Sequence, residues 1–412
     1  MAYTPVGPST NVLLTPTIIA KEALMQYTNN LGMAAHVYRT YKNEFKKVGE
    51  TITIRKPNKF RVTETQARAN VDLSEPSTTL TVDTQAHVSW AFSSVELTQT
   101  VEEYSKRYIA PAAAALANSV DSTLCDLYKD VYNYAGTPGA TPATFAVLGD
   151  AQTILDNEAA PQEVRYAVLN PKAHWTMADA LKGTFAAKPA LDLHTKGFLG
   201  QVANLAIYMD QNIKRHTTGA FTTTSTPLID ATAPATGAIV MSTDGWLANT
   251  ATVTAGDIFT IATVNQVNPM SGISTGNLHN WVVRVAETAD AQGAMLTMDT
   301  APQIIFAGTG NLAYDNVDAL PVDGDAMTFV GTESTAYAQN LIFCKNAFCL
   351  VNLPLEMPAN VWGARETDKD AGISIRVVKQ YDIDADEEII RMDILYGTKT
   401  LYPELAVRLW GE

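Results

Sequence analysis

From Thr100 to Tyr134 the chain reads TVEEYSKRYIAPAAAALANSVDSTLCDLYKDVYNY, and no other stretch limits the fold as much. Thr100 and Glu103 have capping-box spacing, which satisfies exposed amides at a helix start. Beyond Pro111, residues Ala113, Leu116, Ala117, Val120, Leu124, Leu127, Tyr128 and Val131 recur every three or four positions. That spacing places them on one helical face. Pro111 kinks or restarts the helix, because proline removes a backbone donor. A helix from Pro111 to Tyr134 spans about 36 Å at 1.5 Å per residue, until Gly136, Pro138 and Gly139 stop it. The other elements must be laid out along this rod.

At 412 residues the chain exceeds one ordinary core, so two or three domains are expected. A net charge of −14 argues against gripping nucleic acid or an anionic membrane by bulk electrostatics. No charged and apolar leader opens the chain, and no apolar run nears the roughly 20 residues of a membrane helix. The expectation is a soluble chain, made in the cytoplasm. Cys125, Cys344 and Cys349 read as buried free thiols rather than disulfides or ligands.

Residues 1–14 are uncharged and rich in Pro, Thr, Gly and Ser, the composition of an extended arm. Thr15 as N-cap and Pro16 at the first position open a helix to about Asn30. The period then becomes two: Ile52 and Ile54, Leu80 and Val82, then Val88, Trp90 and Phe92 alternate with polar neighbours. The polar excursion from Asn58 to Ser77 is long for a compact domain unless it contacts something. After the rod, Asp150–Ala159 reads as helix, Arg165–Leu169 as strand, Pro171–Lys182 as helix, Phe198–Leu205 as helix and Ala206–Met209 as strand. Between Thr217 and Ala336 there are eleven acidic residues and one basic residue, Arg284. Its short alternating runs separated by Gly, Pro, Asn and Asp predict an inserted all-β barrel or sandwich. LIFCKNAFCLVNLPL reads as a buried hairpin or pair of strands. SIRVVKQYDI and EIIRMDILYG read as long strands joined by an acidic turn, and LYPELAVRLW closes the chain.

Three motifs invite chemistry and lack its context. Gly272–Gly276 fits GxSxG around Ser274, but no helix follows and the only later histidine is His279. Gly308–Ala313 matches GxGxxA, yet it runs into Asp315, Asn316, Asp318 and Pro321, which is loop chemistry rather than a helix start. Asp382, Asp384 and Asp386 begin like a calcium loop, but Glu387 replaces the required glycine and strands flank the run. With Glu388 these make a crowded acidic turn that gains from a basic partner. The candidates are Arg55, Lys56, Lys59, Arg61 and Arg68. The six histidines have no ligand spacing. No catalytic, cofactor or metal residue is expected.

The order of these parts resembles the Hong Kong 97 type of tailed-phage capsid fold, an α+β architecture. The blocks LLTPTIIAKEAL, NEFKKVGETITIRKP, FSSVELT, SKRYIAPAAAALAN, LYKDVYNYAGTPG and YGTKTLYPELAVRL are similar to the coat proteins of Salmonella-type short-tailed phages. The resemblance is weaker across the inserted β domain. It implies an arm and short helix over 1–32, the extended E-loop region over 33–92 and the peripheral domain's spine helix over 93–140. An axial domain over 141–214 and 337–365, a β-barrel insertion over 215–336, and peripheral and closing strands over 366–412 complete it. It implies pentamers and hexamers of many copies closing an icosahedral shell around double-stranded DNA without sequence-specific binding or a membrane. A scaffolding protein and a portal are implied as assembly partners, and a decoration protein is left open. An insertion-domain loop that touches a neighbouring capsomer would include Asp244.

An encapsulin-like cellular compartment with the same fold is the alternative, told apart by its gene neighbourhood. A surface-layer or glycan-binding protein would need an export signal and an aromatic cluster at Trp246 or Trp281. A hydrolase centred on Ser274 is the most remote reading.

Overall fold

The computed structural model describes residues 16–41, 51–60, 62, 75–93, 105–181, 201–202, 204–221, 226–306, 314–359, 361–368 and 372–412. The arm, Thr15, the Thr100–Glu103 box, Arg61, Arg68 and Gly308–Ala313 lie outside these residues.

Helix α1 (Pro16–Asn29) opens the described chain and leads into a 3-10 turn at Met33–Ala35. Strands β1 (Thr51–Arg55) and β2 (Ser77–Thr81) form an antiparallel hairpin with Ile52 opposite Leu80. Strand β3 (Thr84–Ser93) follows. A π-helical turn at Ser105–Ile109 feeds helix α2 (Ala110–Asp126), in whose first turn Pro111 sits. Proline therefore restarts the helix, as its missing donor allows.

The rod is shorter than its apolar pattern predicts. Helix α2 has 17 residues, about 25 Å at 1.5 Å per residue. A 3-10 turn at Leu127–Asp130 tightens its end, and Val131 is extended at φ −88° and ψ 117°. Tyr134 and Ala135 then join a sheet beside Arg408 and Leu409. Tyr128 and Val131 are buried as predicted, because the turn keeps them on the side the helix faced. The pairing available to 134–135 overrides helical periodicity.

Helix α3 (Phe145–Asn157) begins at Thr144, whose Oγ1 accepts from Val147 N at 3.4 Å. Strand β4 (Arg165–Leu169), helix α4 (Pro171–Leu181) and strand β5 (Leu205–Met209) follow, with β4 and β5 parallel. The predicted helix over 198–205 is corrected: Gln201–Val202 pairs antiparallel with β5 across a turn in which Asn204 has φ 61°. Apolar faces of α3 and α4 cover this sheet through Val147, Leu148, Leu155, Ala173 and Met177.

Strand β6 (Arg215–Thr217) leads into the β-rich insertion. There β7 (Leu228–Ile229), β8 (Val240–Asp244), β9 (Ile258–Val267), β10 (Ser274–Val283), β11 (Met295–Ala301) and β12 (Met327–Phe329) form one sheet. The spatial order is β12-β9-β10-β11-β8-β7. The Leu228–Ala326 bridge and the Met327 N to Pro227 O bond at 2.9 Å bring β7 back to the start of β12. The six strands thus close into a barrel, which removes open edges. Phe259, Ile261, Trp281, Val283, Met295 and Met298 fill it. Strand β13 (Ala336–Ala338) leaves antiparallel to β6, with Thr217 opposite Ala336.

Strands β14 (Asn340–Phe343) and β15 (Phe348–Leu353) are the two strands read from LIFCKNAFCLVNLPL, but they enter different sheets. Strand β14 lies between β4 and the closing strand β19 (Ala406–Leu409). The second sheet contains β15, β16 (Trp362–Asp368), β17 (Ile373–Asp382) and the 14-residue β18 (Glu387–Thr400), with β3 also paired to β18. Its inner face, including Ile375, Val377, Met392 and Ile394, packs with Leu116, Val120 and Leu124 of α2 and with α1 in one core.

Candidate assembly surfaces

Two projections carry exposed apolar or charged side chains. The first is the β1–β2 hairpin. Its alternation puts Ile52, Ile54, Leu80 and nearby Val82 on one face, which packs on Cys349, Val351 and Leu401 of the same chain. Further out, Phe60 is 74 % and Val62 85 % exposed. Apolar side chains that far from any core are suited to an interface. The second projection is the β17–β18 turn. Asp386 has φ 53°, Asp382 Oδ1 accepts from Asp384 N at 3.0 Å, and Tyr381 OH donates to Asp386 Oδ1 at 2.7 Å. Ile383 at the turn is 81 % exposed beside a groove of about 450 Å³ formed with Val378, Tyr381 and Ile389.

Among the described candidates, Arg55, Lys56 and Glu388 have side-chain partners within the chain, and Lys59 is held through its backbone amide. Arg55 Nη1 pairs with Glu75 Oε2 at 3.0 Å. The Lys56 amine lies 4.7 Å from the centre of the Tyr402 ring, and burial lowers its pKa although Glu404 opposes this. Lys59 N donates to Tyr314 OH of the insertion at 3.1 Å. On the acidic side Glu388 pairs with Lys379, and Glu387 sits in register with Asp382 and Ser93. Asp244 ends β8 half-buried; burial, then Asp230 and Asp323, raise its carboxyl above the ordinary range.

Where the hairpin, α3 and the barrel converge, a cavity of about 250 Å³ is lined by Lys56, Lys59, Glu158, Tyr314 and Glu404. Glu158 Oε1 accepts from Gln266 Nε2 at 2.6 Å and, at 3.5 Å, from Tyr132 OH and Asn133 Nδ2. Burial, reinforced by Glu404, pushes its carboxyl up to about 7.

A second junction ties the barrel to the rod. His216 Nε2 lies 2.8 Å from Asp257 Oδ1, and its Nδ1 lies 3.1 Å from Tyr128 OH. Asp257 Oδ2 also accepts from Thr254 N at 2.7 Å and Gly219 N at 3.1 Å. Arg408 Nη1 donates to Gly256 O at 2.7 Å while its guanidinium lies over the Tyr128 ring. Burial brings Arg408 down to about 10, against the pull of Tyr128 and Asp257. Near the end of α1, His36 stacks on Tyr208 at 3.9 Å and Tyr166 at 4.8 Å. Sequence reasoning found neither cluster, because partners such as Gly256 and Arg408 are 152 positions apart.

The chemical motifs resolve into structure. Ser274 opens strand β10 and donates to Asp318 Oδ2 at 2.8 Å, without the strand-to-helix turn of a nucleophile elbow. Trp281 is fully buried and Trp246 nearly so, with Trp246 Nε1 donating to Thr243 Oγ1, so they build the barrel core rather than a sugar platform. Cys125, Cys344 and Cys349 are buried free thiols whose pKa values burial raises. Among the described residues no helix is long and apolar enough to cross a membrane, and no group of three or more His, Cys, Asp or Glu could hold a metal ion.

A helical rod, a β-hairpin, a sheet packed on the rod, an α/β sheet and an inserted barrel make up an α+β capsid subunit of the Hong Kong 97 type. The family described as "P22 coat protein - gene protein 5" matches residues 9–411, and the chain belongs to that family. It is a major capsid protein, a structural subunit of an icosahedral phage shell rather than an enzyme. A solved chain of Mycobacterium phage Che8 is 13 % identical, with coverage of 93 % of this chain and 89 % of that one and a TM-score of 0.46. The capsid of Cyanophage P-SCSP1u gives 11 %, 92 %, 86 % and 0.41. The mature capsid of bacteriophage PhiM1 gives 12 %, 88 %, 82 % and 0.41. At these values the likeness is one of broad outline, and the family assignment does not rest on it. No curated protein gives a significant sequence match. The cellular-compartment reading has no better support than the capsid one.

Proposed function

We propose that copies of this chain join as pentamers and hexamers on a scaffolding protein and around a portal, in the bacterial cytoplasm. The shell encloses double-stranded DNA without reading its sequence and leaves its outer surface open to a decoration protein. The observation that carries this reading is the family match across residues 9–411. Net charge −14 supports it, since an acidic wall repels phosphate and lets packaged DNA move. In this reading 1–32 is an arm and short helix, 33–92 the E-loop region and 93–140 the spine. Residues 141–214 and 337–365 are axial, 215–336 the outward barrel, and 366–412 peripheral and closing strands. Arg55, Lys56, Lys59, Arg61 and Arg68 of one copy face Asp382, Asp384, Asp386, Glu387 and Glu388 of another, and Asp244 lies at a contact between capsomers.

Co-expression with the cognate scaffolding protein tests the assembly reading. Closed particles of uniform size in negative-stain and cryo-electron microscopy are expected. Monomers alone under all scaffold and salt conditions would overturn it.

A further inference from the structure

The ladder of the β1–β2 hairpin stops where proline interrupts it. Lys56 N donates to Pro76 O at 2.7 Å, and Pro57 then has no amide to give. Just beyond, the chain takes a partner from outside the hairpin. Lys59 N donates at 3.1 Å to the hydroxyl of Tyr314, 255 positions away, and that hydroxyl donates to Asn58 Oδ1 at 3.4 Å. A phenol carries one proton and lone pairs, so it serves as acceptor and donor at once. Inward of the proline, the Lys56 amine lies over the Tyr402 ring.

Tyr314 stands on a firm footing. Two residues on, Asn316 is bonded on four sides: Nδ2 donates to Gln303 O at 2.7 Å, Oδ1 accepts Ile305 N at 2.8 Å, its amide donates to Ile305 O at 3.1 Å, and its carbonyl accepts Val267 N at 3.0 Å. Asp318 accepts Asn265 N at 2.8 Å and Asn265 Nδ2 at 2.9 Å. The polar run that follows the GxGxxA match thus pins Tyr314 to the barrel. The barrel is itself tied to the end of α3, where Gln266 reaches Glu158 and Asn268 Nδ2 donates to Asn157 O at 3.0 Å. The half-buried Tyr314 lines the cavity at this junction together with Pro57, Pro269 and Pro302. Prolines make a stiff wall for the ring, because their φ is fixed.

We propose that Tyr314 is the positioning residue of the hairpin: its hydroxyl straps residues 58 and 59 to the inserted barrel and so sets the direction in which the outer hairpin leaves the subunit. Bonds to two adjacent residues constrain orientation as well as distance, which one bond does not. The strap catches the chain just before the exposed Phe60 and Val62. Among the described residues, the nearest bonded amide inward of it is that of Lys56. Three residues of extended chain separate Lys56 from Lys59, about 10 Å of free lever without the strap. A segment already held in one direction gives up less freedom when it meets a partner. The inserted barrel thereby acquires a role inside its own subunit. This stands apart from the assembly reading, because every group belongs to a single copy.

The test uses the full chain with Tyr314→Phe, which keeps the ring in the cavity and removes the hydroxyl. Hydrogen exchange at the Lys59 amide should become about two- to tenfold faster, the range one neutral hydrogen bond supplies. The amides of Asn265, Val267 and Ile305 should keep their rates. Direction is read separately, from spin labels at Val62→Cys on the hairpin and Leu296→Cys on the barrel, both exposed positions, while the native cysteines are buried. The distribution of distances between the labels should broaden in Tyr314→Phe. Asn58→Ala keeps the Lys59 bond and should broaden it less. An unchanged Lys59 rate, or an unchanged width of the label distribution, overturns the proposal. So does exchange that quickens equally at Asn265, Val267 and Ile305, since Tyr314 would then serve the barrel's stability and not the hairpin's direction.

Discussion

Asp257 is 1 % exposed and receives donors from the entry strand, the barrel turn and His216 at once. Asp257→Ala strands those donors in a site water cannot reach. The expected cost is about 3–5 kcal/mol, the scale of breaking a buried pair, read as an earlier urea midpoint for the barrel. A loss below about 1 kcal/mol, the worth of an ordinary hydrogen bond, would show that the cluster does not hold the barrel. His36 makes a different prediction. Burial, then Arg39 and Lys345, push its imidazole down to about 4. The native state therefore favours the neutral ring: the stabilisation is whole above about 6.5, the unfolded value, and disappears as pH drops toward 4. His36→Phe keeps the stack on Tyr166 and Tyr208 and has nothing to protonate. Its melting temperature should fall less than that of the unmodified chain between neutrality and pH about 4.5; equal falls would count against the assignment.

Among elements, those built on strong periodicity were legible from the sequence. The alternation of β1, β17 and β18 and the apolar stripe of α2 read directly, because one buried face leaves a repeat in the residues. The end of the rod was not legible: Leu127, Tyr128 and Val131 continue the helical spacing while Tyr134 and Ala135 are claimed by a distant strand. The segment before β5 misled for a related reason, since Asn204 makes a left-handed turn that no apolar period records. The candidate contacts on the hairpin and acidic turn could be listed as charges, but their partners could not. The burial of polar residues such as Asp121 and Arg408 left no signal in the sequence, because what satisfies them is remote in the chain. Close approach at Gly397 was equally hidden. A Cβ there would lie 2.2 Å from Thr81 O, so Gly397→Ala must lift the end of β2. Overpacking of this kind costs about 1–3 kcal/mol, and limited proteolysis should cut within residues 51–82 faster than in the unmodified chain. Unchanged cleavage would mean that the hairpin is not seated by this contact.

For the molecule as a whole, the proposed contact between the basic hairpin of one subunit and the acidic turn of the next would be heterologous, the kind that closes rings when the rotation permits. Asp384→Lys, at an exposed position of the turn, should change the stability of the isolated chain by no more than about 0.5 kcal/mol, as exposed substitutions usually do. The yield of closed particles should nevertheless fall, and Arg55→Glu with Lys59→Glu in the same chain should recover part of it. Full particle yield from the acidic-turn variant would remove Asp384 from the proposed contacts.

The barrel's entry and exit run side by side, Thr217 opposite Ala336, so its two ends are only about 5 Å apart. To the rest of the subunit the barrel is a head carried on a two-stranded handle and steadied by the contacts of Asp257, Arg408 and Glu158. A foreign domain with similarly close termini fits the same handle without stretching it, and each shell would then carry that passenger once per subunit.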